Sequence, residues 1–136
     1  MNRVFTIILV IFFSNHANAY DEERARMNYV DDLLTCSVFY HISSNDEVSR
    51  ANPNDPITIQ NKKISSDFYN LALIHAKSID ITTEAFVAKF HNSNDQMGRE
   101  MNGHYKNFAV LIRKYGDFCK QLIVNPDDRL EYWRKK

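Results

Sequence analysis

Glycine and proline are scarce in this sequence, with three of each among 136 residues. No Asn-Gly or Asp-Gly pair separates two alternating apolar runs, which is the usual pattern of a β-hairpin. The single Asn-Gly pair, Asn102-Gly103, falls inside a helical pattern. Apolar residues recur at helical spacing almost throughout. The sequence therefore predicts an all-α fold, an up-and-down bundle of three to four long helices plus a short C-terminal helix.

A long apolar run is also missing. The ten-residue run from Val4 to Phe13 spans only about 15 Å as a helix, against roughly 30 Å of bilayer hydrocarbon. It follows Arg3 and precedes the polar segment Ser14-Asn15-His16 and the small-x-small sequence Ala17-Asn18-Ala19. This order is typical of a secretory signal peptide. We predict that residues 1–19 are such a peptide and are removed on export; a short uncleaved membrane anchor is the alternative.

The chain has no excess of either charge. Its formal net charge is zero, and removal of Arg3 leaves 16 basic and 17 acidic side chains. A nearly neutral chain has no field that would attract DNA or an anionic membrane, so we expect no nucleic-acid binding. Residues 20–136 are expected to form a single helical domain without a membrane span, located in the periplasm or secreted.

Motifs of catalysis are absent as well. The sequence has no Gly-rich phosphate loop, no G-x-S-x-G and no H-E-x-x-H. The acidic pairs Asp31-Asp32 and Asp127-Asp128 are adjacent, so the two side chains of each pair diverge on a helix, as on a solvated face. Carboxylates brought together from different helices are invisible to sequence, which keeps a small cell-envelope hydrolase as the least favoured hypothesis. We favour a protein that is not an enzyme.

Periodicity places the first helix from about Asp21 to Ser43, with two apolar stripes, so it should lie between neighbouring helices. The polar segment from Ser43 to Pro56 predicts a loop with about one helical turn. Asp55 is then expected to cap a second helix that starts at Pro56 and ends near Ile79. The side chains predicted to be buried on this helix are Ile64, Phe68, Leu71 and either Ile74 or His75.

A third helix is expected after a cap at Thr82 or Thr83, and poor helix formers from His91 to Gln96 interrupt its pattern. Residues 83–123 are therefore either one long bent helix or two helices that meet near residues 92–95. A short last helix is predicted to begin at Asn125-Pro126. The apolar stripe that resumes after the interruption, at spacings of four and three, is Met97, Met101, Tyr105, Phe108, Ile112, Tyr115, Cys119 and Leu122.

The two cysteines, Cys36 and Cys119, both lie on apolar stripes, and an exported chain meets an oxidising compartment. We predict that they form a disulfide, which would close a long loop and contribute on the order of 4.5 kcal/mol in the chain-entropy model. A reactive thiol and a bridge to another chain are the alternatives. Cys36 does not pair with His41 as a metal ligand, because five positions turn the two side chains about 140° apart on a helix.

Two histidines, His41 and His75, lie on apolar stripes of different helices. Inward-facing histidines hold haem or metals in some bundles, so this pair is a candidate ligand site. Core histidines that each have a hydrogen-bond partner are the commoner alternative. No C-x-x-C motif and no Glu-x-x-His pair is present, so we expect no bound metal and no cofactor.

The C-terminal segment mixes aromatic and cationic residues. Tyr132, Trp133 and Arg134 could form an interaction surface, or Leu130 and Trp133 could simply dock the last helix on the bundle. With no catalytic motif found, the favoured hypothesis is an exported module that binds another protein, of an inhibitor, immunity or adaptor type. A carrier of a small ligand, haem or metal in the bundle interior is the alternative.

Overall fold

The computed structural model describes the backbone of residues 2–45 and 47–136 and the side chains of residues 21–45 and 49–136. Within these ranges the chain is helical and has no β-strand, so the predicted all-α fold is confirmed. The elements in chain order are α1 (Asn2–Ser43), α2 (Glu47–Ala51), α3 (Pro56–Lys77), α4 (Thr83–Glu100), a 3₁₀ turn (Tyr105–Asn107), α5 (Ala109–Leu111), a π turn (Ile112–Gly116), α6 (Asp117–Val124) and α7 (Pro126–Arg134).

Helix α1 is the centre of the bundle and packs against α3, α4 and α7. Most of its apolar side chains are buried on both predicted stripes, as Leu33 and Leu34 illustrate with no exposed surface, whereas Met27 is 39 % exposed. A helix with two apolar sides was expected to lie between neighbours, and this expectation is confirmed. The helix starts at Asn2 rather than near Asp21, because residues 14–20 contain neither glycine nor proline to stop it.

The predicted signal peptide, residues 1–19, lies outside the described side chains and stays a prediction. In the part of the chain whose side chains are described, no helix is long and apolar enough to cross a bilayer.

Helices α1 and α3 meet along a line of small residues. The Ser37 hydroxyl donates to the Ser65 carbonyl and the Ser65 hydroxyl donates to the Ser37 carbonyl, each at 2.9 Å, and both serines are buried. Ala72 and Ala76 continue this line with no exposed surface. Small side chains let the two backbones approach closely, so the contact of α3 is centred on residues that hydrophobicity alone does not select. Phe68 is buried as predicted. Of the two alternatives at the end of this stripe, Ile74 is 65 % exposed, whereas His75 is partly buried against Tyr29.

Two predicted caps, Asp55 and Thr82, make their side-chain hydrogen bonds, whereas Asn125, the predicted cap of α7, makes no capping hydrogen bond. The Asp55 carboxylate accepts a hydrogen bond from the Thr58 backbone N–H at 2.9 Å, with Pro56 in the first turn of α3. The Thr82 hydroxyl accepts from the Ala85 N–H at 3.2 Å at the start of α4. Each cap satisfies a backbone donor that the helix itself leaves unpaired.

Helix α4 runs without interruption through residues 91–96 and ends at Glu100. The chain then turns at Asn102 and Gly103, which have φ values of 53° and 68°, and the Gly103 N–H donates to the Gly98 carbonyl at 2.9 Å. Residues 83–123 therefore form two helical segments, but they meet at residues 101–108 rather than 92–95. The expectation that Asn102-Gly103 lies inside a helix is wrong, since this pair supplies the left-handed conformation of a helix C-terminus.

The π turn then changes which side chains reach the core. Leu111 is fully buried, whereas the adjacent Ile112, predicted to lie on the buried stripe, is 52 % exposed. The π turn places one extra residue in a helical turn, so residues at regular three- and four-residue spacing no longer share one side of the helix. Cys119 and Leu122 return to the core after the π turn.

Candidate functional site

The two cysteines form the predicted disulfide. Cys36 of α1 and Cys119 of α6 are bonded, with their Cα atoms 5.4 Å apart, and neither has any exposed surface. The bridge joins the central helix to the C-terminal part of the chain. It leaves no free thiol in the described residues, so a reactive cysteine is excluded in this state.

His41 and His75 are not brought together. The His75 ring lies edge-on to Tyr29, with ring centroids 4.9 Å apart, and its Nδ1 is 3.4 Å from Arg26 Nη1. Tyr29 and His41 are twelve positions apart on α1, which places them about 18 Å apart along the helix. One ion or one haem iron cannot bind both histidines across this distance. Within the described side chains no three His, Cys, Asp or Glu residues are grouped to hold a metal.

The surroundings of each histidine favour its neutral form. Burial, and then the charge of Arg26, lower the pKa of His75. His41 packs edge-on against Phe90, with ring centroids 5.9 Å apart, and burial of this side of the ring lowers the pKa of His41. Desolvation penalises a charged imidazolium more than a neutral ring.

The residues of the predicted surface, Tyr132, Trp133 and Arg134, have different roles in the structure. Trp133 Nε1 donates to Asp32 Oδ2 at 2.6 Å, and Arg134 donates twice to Glu22 at 2.8 Å. Both side chains therefore fix α7 on α1. Tyr132 is 43 % exposed and the Arg134 side chain is 39 % exposed, so a partner can reach both, and Tyr132 is the one that no ion pair holds on α1.

Arg129 connects α7 to two other helices. Its Nε donates to Asp32 Oδ2 at 2.6 Å, and its guanidinium carbon lies 5.0 Å from the Phe118 ring centroid and 4.5 Å from that of Tyr132. A cation over aromatic faces, with its charge balanced by a carboxylate, is attracted to both. The aromatic residues at this end of the bundle are therefore held in fixed positions.

A groove of about 570 Å³ lies between α6 and α7, and we call it the corner groove. Val124 at the end of α6 lines this groove and is 74 % exposed, whereas Ile123, which is 44 % exposed, lies on the side of α6 that faces α3. A second, smaller groove separates α6 from α3, and Leu122 lines both. The residues that line the corner groove are Phe118, Lys120, Gln121, Leu122, Val124, Asn125, Asp128, Arg129 and Tyr132.

A polar pocket of about 370 Å³ lies at the opposite side of α3, where α1, α3 and α4 meet, and we call it the His41 pocket. Ser37 and Ser65, whose hydroxyls bond across the helices, lie at this pocket. Its remaining lining residues are His41, Ser44, Asn45, Lys62, Ser66, Tyr69 and Phe90.

Sequence reasoning selected Tyr132 and His41 but neither the groove nor the pocket around them. Ile123 and Val124 directly follow the buried Leu122 and therefore lie outside the stripe of buried positions on this helix. Apolar residues at such positions would have indicated an exposed apolar surface. For the pocket the signal is weaker, since Lys62, Ser66 and Tyr69 are ordinary polar residues at helical spacing.

Comparison with protein families, with curated proteins and with solved structures finds no match for this chain. The function is therefore argued from the surfaces described above.

Proposed function

We propose that this protein is an exported module that binds another protein through the corner groove. The observation that supports the proposal is the exposure of Val124 and Tyr132 together at one groove. Exposed apolar side chains that cluster at a concave surface with a polar rim are typical of protein-interaction sites. Gln121 and Asn125 supply the polar rim here.

The charges around the groove indicate what the partner presents. Lys120 lines the groove and has no ion pair with the described residues, whereas the charge of Arg129 is balanced by Asp32. Asp128 lies in the first turn of α7, where the helix dipole compensates a carboxylate. The uncompensated charge is thus positive. The occupant is a segment of another protein that places apolar side chains next to an acidic one.

A rigid groove favours binding, because little conformational entropy is lost when the partner docks. Arg129 holds the aromatic wall, and the Cys36–Cys119 disulfide fixes the start of α6 to α1. Export is supported by the predicted signal peptide and by a disulfide, which persists in oxidising compartments.

Photo-crosslinking in the native host tests the proposal. In the test variant, a photoreactive phenylalanine analogue replaces Val124 of α6. In the matched control it replaces Ile59 of α3, which is 54 % exposed and does not line the groove. We expect a covalent adduct with a second protein from position 124 and not from position 59. For the purified partner, Val124→Asp should weaken binding about tenfold or more, since central apolar contacts dominate interfaces, while Ile59→Asp should leave it unchanged.

Equal adducts from both positions, or none from position 124, would overturn the proposal. An adduct that contains only two copies of this chain would show that the groove joins protomers, which also contradicts a different protein as the occupant.

A further inference from the structure

The His41 pocket offers hydrogen-bond donors that make no bond with the described residues. Lys62, Ser66 and Tyr69 line it, and their polar atoms make no hydrogen bond or ion pair with the described residues. The other hydroxyls at the pocket are occupied: Ser37 and Ser65 bond each other's backbone, and Ser44 donates to the His41 carbonyl at 3.0 Å. Among the described residues, these three donors are therefore a set distinct from the hydroxyls that join the helices.

These three donors share one face of α3. Positions 62, 66 and 69 fall within about 60° around a helix axis, so their side chains point to the same side. All three line the same space of about 370 Å³ where α3 meets α1 and α4, and Lys62 and Ser66 are exposed to solvent there. Pockets of roughly 300–1,000 Å³ hold small organic molecules.

His41 contributes a fourth donor. The Asn45 amide nitrogen donates to the His41 carbonyl at 2.7 Å, which identifies that end of the amide as nitrogen, and the same nitrogen lies 3.3 Å from His41 Nδ1. Nδ1 then accepts, so the neutral ring carries its proton on Nε2. Nε2 has no partner among the described residues.

The charge and the walls of the pocket restrict the ligand further. Lys62 is the one side chain with a fixed charge among the described lining residues, so the pocket suits a single negative charge. The rings of Tyr69 and Phe90 lie edge-on with centroids 5.4 Å apart, and the His41 ring lies 5.9 Å from Phe90. Three aromatic rings around one space favour a planar apolar body.

We propose that the His41 pocket binds a small aromatic carboxylic acid, with Lys62 as the counter-ion of the carboxylate and Phe90 against the ring. Ser66, Tyr69 and His41 Nε2 donate to the carboxylate oxygens. This site shares no residue with the corner groove, so either proposal can fail without the other.

Titration of the full exported chain with phenylacetate tests the site, with the neutral phenylacetamide and inorganic phosphate as comparison probes. We expect calorimetry to show saturable binding of phenylacetate. Binding should change amide chemical shifts only in the three helix segments around the pocket. Phenylacetamide should bind at least about tenfold more weakly, because it lacks the charge that Lys62 pairs with.

Neighbouring lysines supply matched variants. Lys62→Gln should weaken phenylacetate binding about tenfold, whereas Lys63→Gln should not change it, since Lys63 pairs with Asp67 at 2.6 Å. Tyr69→Phe keeps the ring and removes one donor, so it should weaken binding by about threefold. Both lysines are exposed, and neither change should affect folding.

Three results would overturn the proposal. They are no binding of phenylacetate, equal binding of phenylacetate and phenylacetamide, and equal effects of the two lysine substitutions. Binding of inorganic phosphate in place of phenylacetate would likewise exclude an aromatic acid as the ligand.

Discussion

Asp31 and Asp32 are adjacent in sequence, yet their carboxylates lie on different sides of α1 and contact different helices. Asp31 pairs with Lys89 of α4 at 2.7 Å, and the Asp31 side chain is about half exposed. Asp32 is 17 % exposed and accepts from both Arg129 and Trp133 at 2.6 Å. The divergence was predicted from their spacing, but the solvated surroundings were predicted correctly only for Asp31. An exposed ion pair contributes little to stability, whereas a half-buried acceptor with two donors contributes more.

This difference predicts unequal effects of alanine. Asp32→Ala leaves the Trp133 N–H and the Arg129 guanidinium without their acceptor and should lower the free energy of unfolding by about 2–3 kcal/mol. Asp31→Ala is the matched control and should lower it by less than about 1 kcal/mol. Urea unfolding measures both values. Trp133 is the single tryptophan of the chain, so its fluorescence should also shift to longer wavelength in Asp32→Ala alone. Equal effects of the two substitutions would contradict this account of α7 docking.

Tyr29 predicts a loss of stability at high pH. The side chain is 1 % exposed, and burial, followed by the charges of Asp127 and Asp32, raises its pKa from 10 to about 12. The neutral phenol is thus favoured in the folded state, and its contribution is complete below pH 10 and lost as the pH rises through 12. Two pKa units correspond to about 3 kcal/mol. Chemical unfolding between pH 9 and about 12 should show this loss in the native chain.

Tyr29→Phe is the control for that measurement. The Tyr29 hydroxyl has no hydrogen bond with the described residues, so phenylalanine should fold equally well. The variant should lose about 3 kcal/mol less than the native chain over the same pH range. Identical pH profiles would show that other groups cause the alkaline transition.

At the scale of the elements, side-chain caps predicted the starts of α3 and α4 better than periodicity predicted the end of α4. Asp55 with Pro56, and Thr82, carry side chains whose oxygen can accept a backbone N–H, and this signal depends on few neighbours. The end of α4 was misplaced because residues 91–96 are poor helix formers. Each such residue costs only tenths of a kcal/mol, and the surrounding helix overrides it. Asn102-Gly103 ends α4 because it adopts positive φ, which periodicity does not reveal.

The two glycines of this region should therefore respond to alanine with opposite signs. Gly98 lies inside α4 with open space around its Cα, so Gly98→Ala should raise the free energy of unfolding by about 0.5–1 kcal/mol. Gly103 also has open space but a φ of 68°, so Gly103→Ala should lower it by about 1 kcal/mol through backbone strain alone. Thermal unfolding of the two variants measures both. A stabilising effect of Gly103→Ala would rule out the left-handed turn.

Packing between elements was predictable only in part. Residues such as Phe68, Cys119 and Leu122 are buried as their periodicity predicted. The exposure of Ile112 was not predicted, and the choice between Ile74 and His75 was left open, because burial here depends on how closely α3 approaches α1 and on the π turn before α6. The grooves were beyond prediction for the same reason. The His41 pocket is lined by residues from 37 to 90, and nothing in one helix indicates which face of another it meets.

At the scale of the whole molecule, contacts far apart in sequence hold the C-terminal part of the chain against α1. Cys119 is bonded to Cys36, Trp133 contacts Asp32, and Arg134 contacts Glu22. The segment from Asn102 to Val124 is short-helical and contains the 3₁₀ and π turns, so its own helical stability is low. The disulfide, which spans 83 positions, is therefore the strongest constraint on the part of the chain that forms the corner groove.

Removal of the disulfide should destabilise the protein without unfolding it. The chain-entropy model gives on the order of 4.5 kcal/mol for a loop of this length, and measured losses on removing a native disulfide are about 2–5 kcal/mol. We expect Cys36→Ala/Cys119→Ala to lose an amount in this range in urea unfolding, in the presence or absence of a reductant. The native chain should lose a similar amount only when a reductant is present, which separates the bridge from the small cavities that alanine leaves. An unchanged free energy of unfolding on reduction would mean that α6 is held on α1 by packing alone.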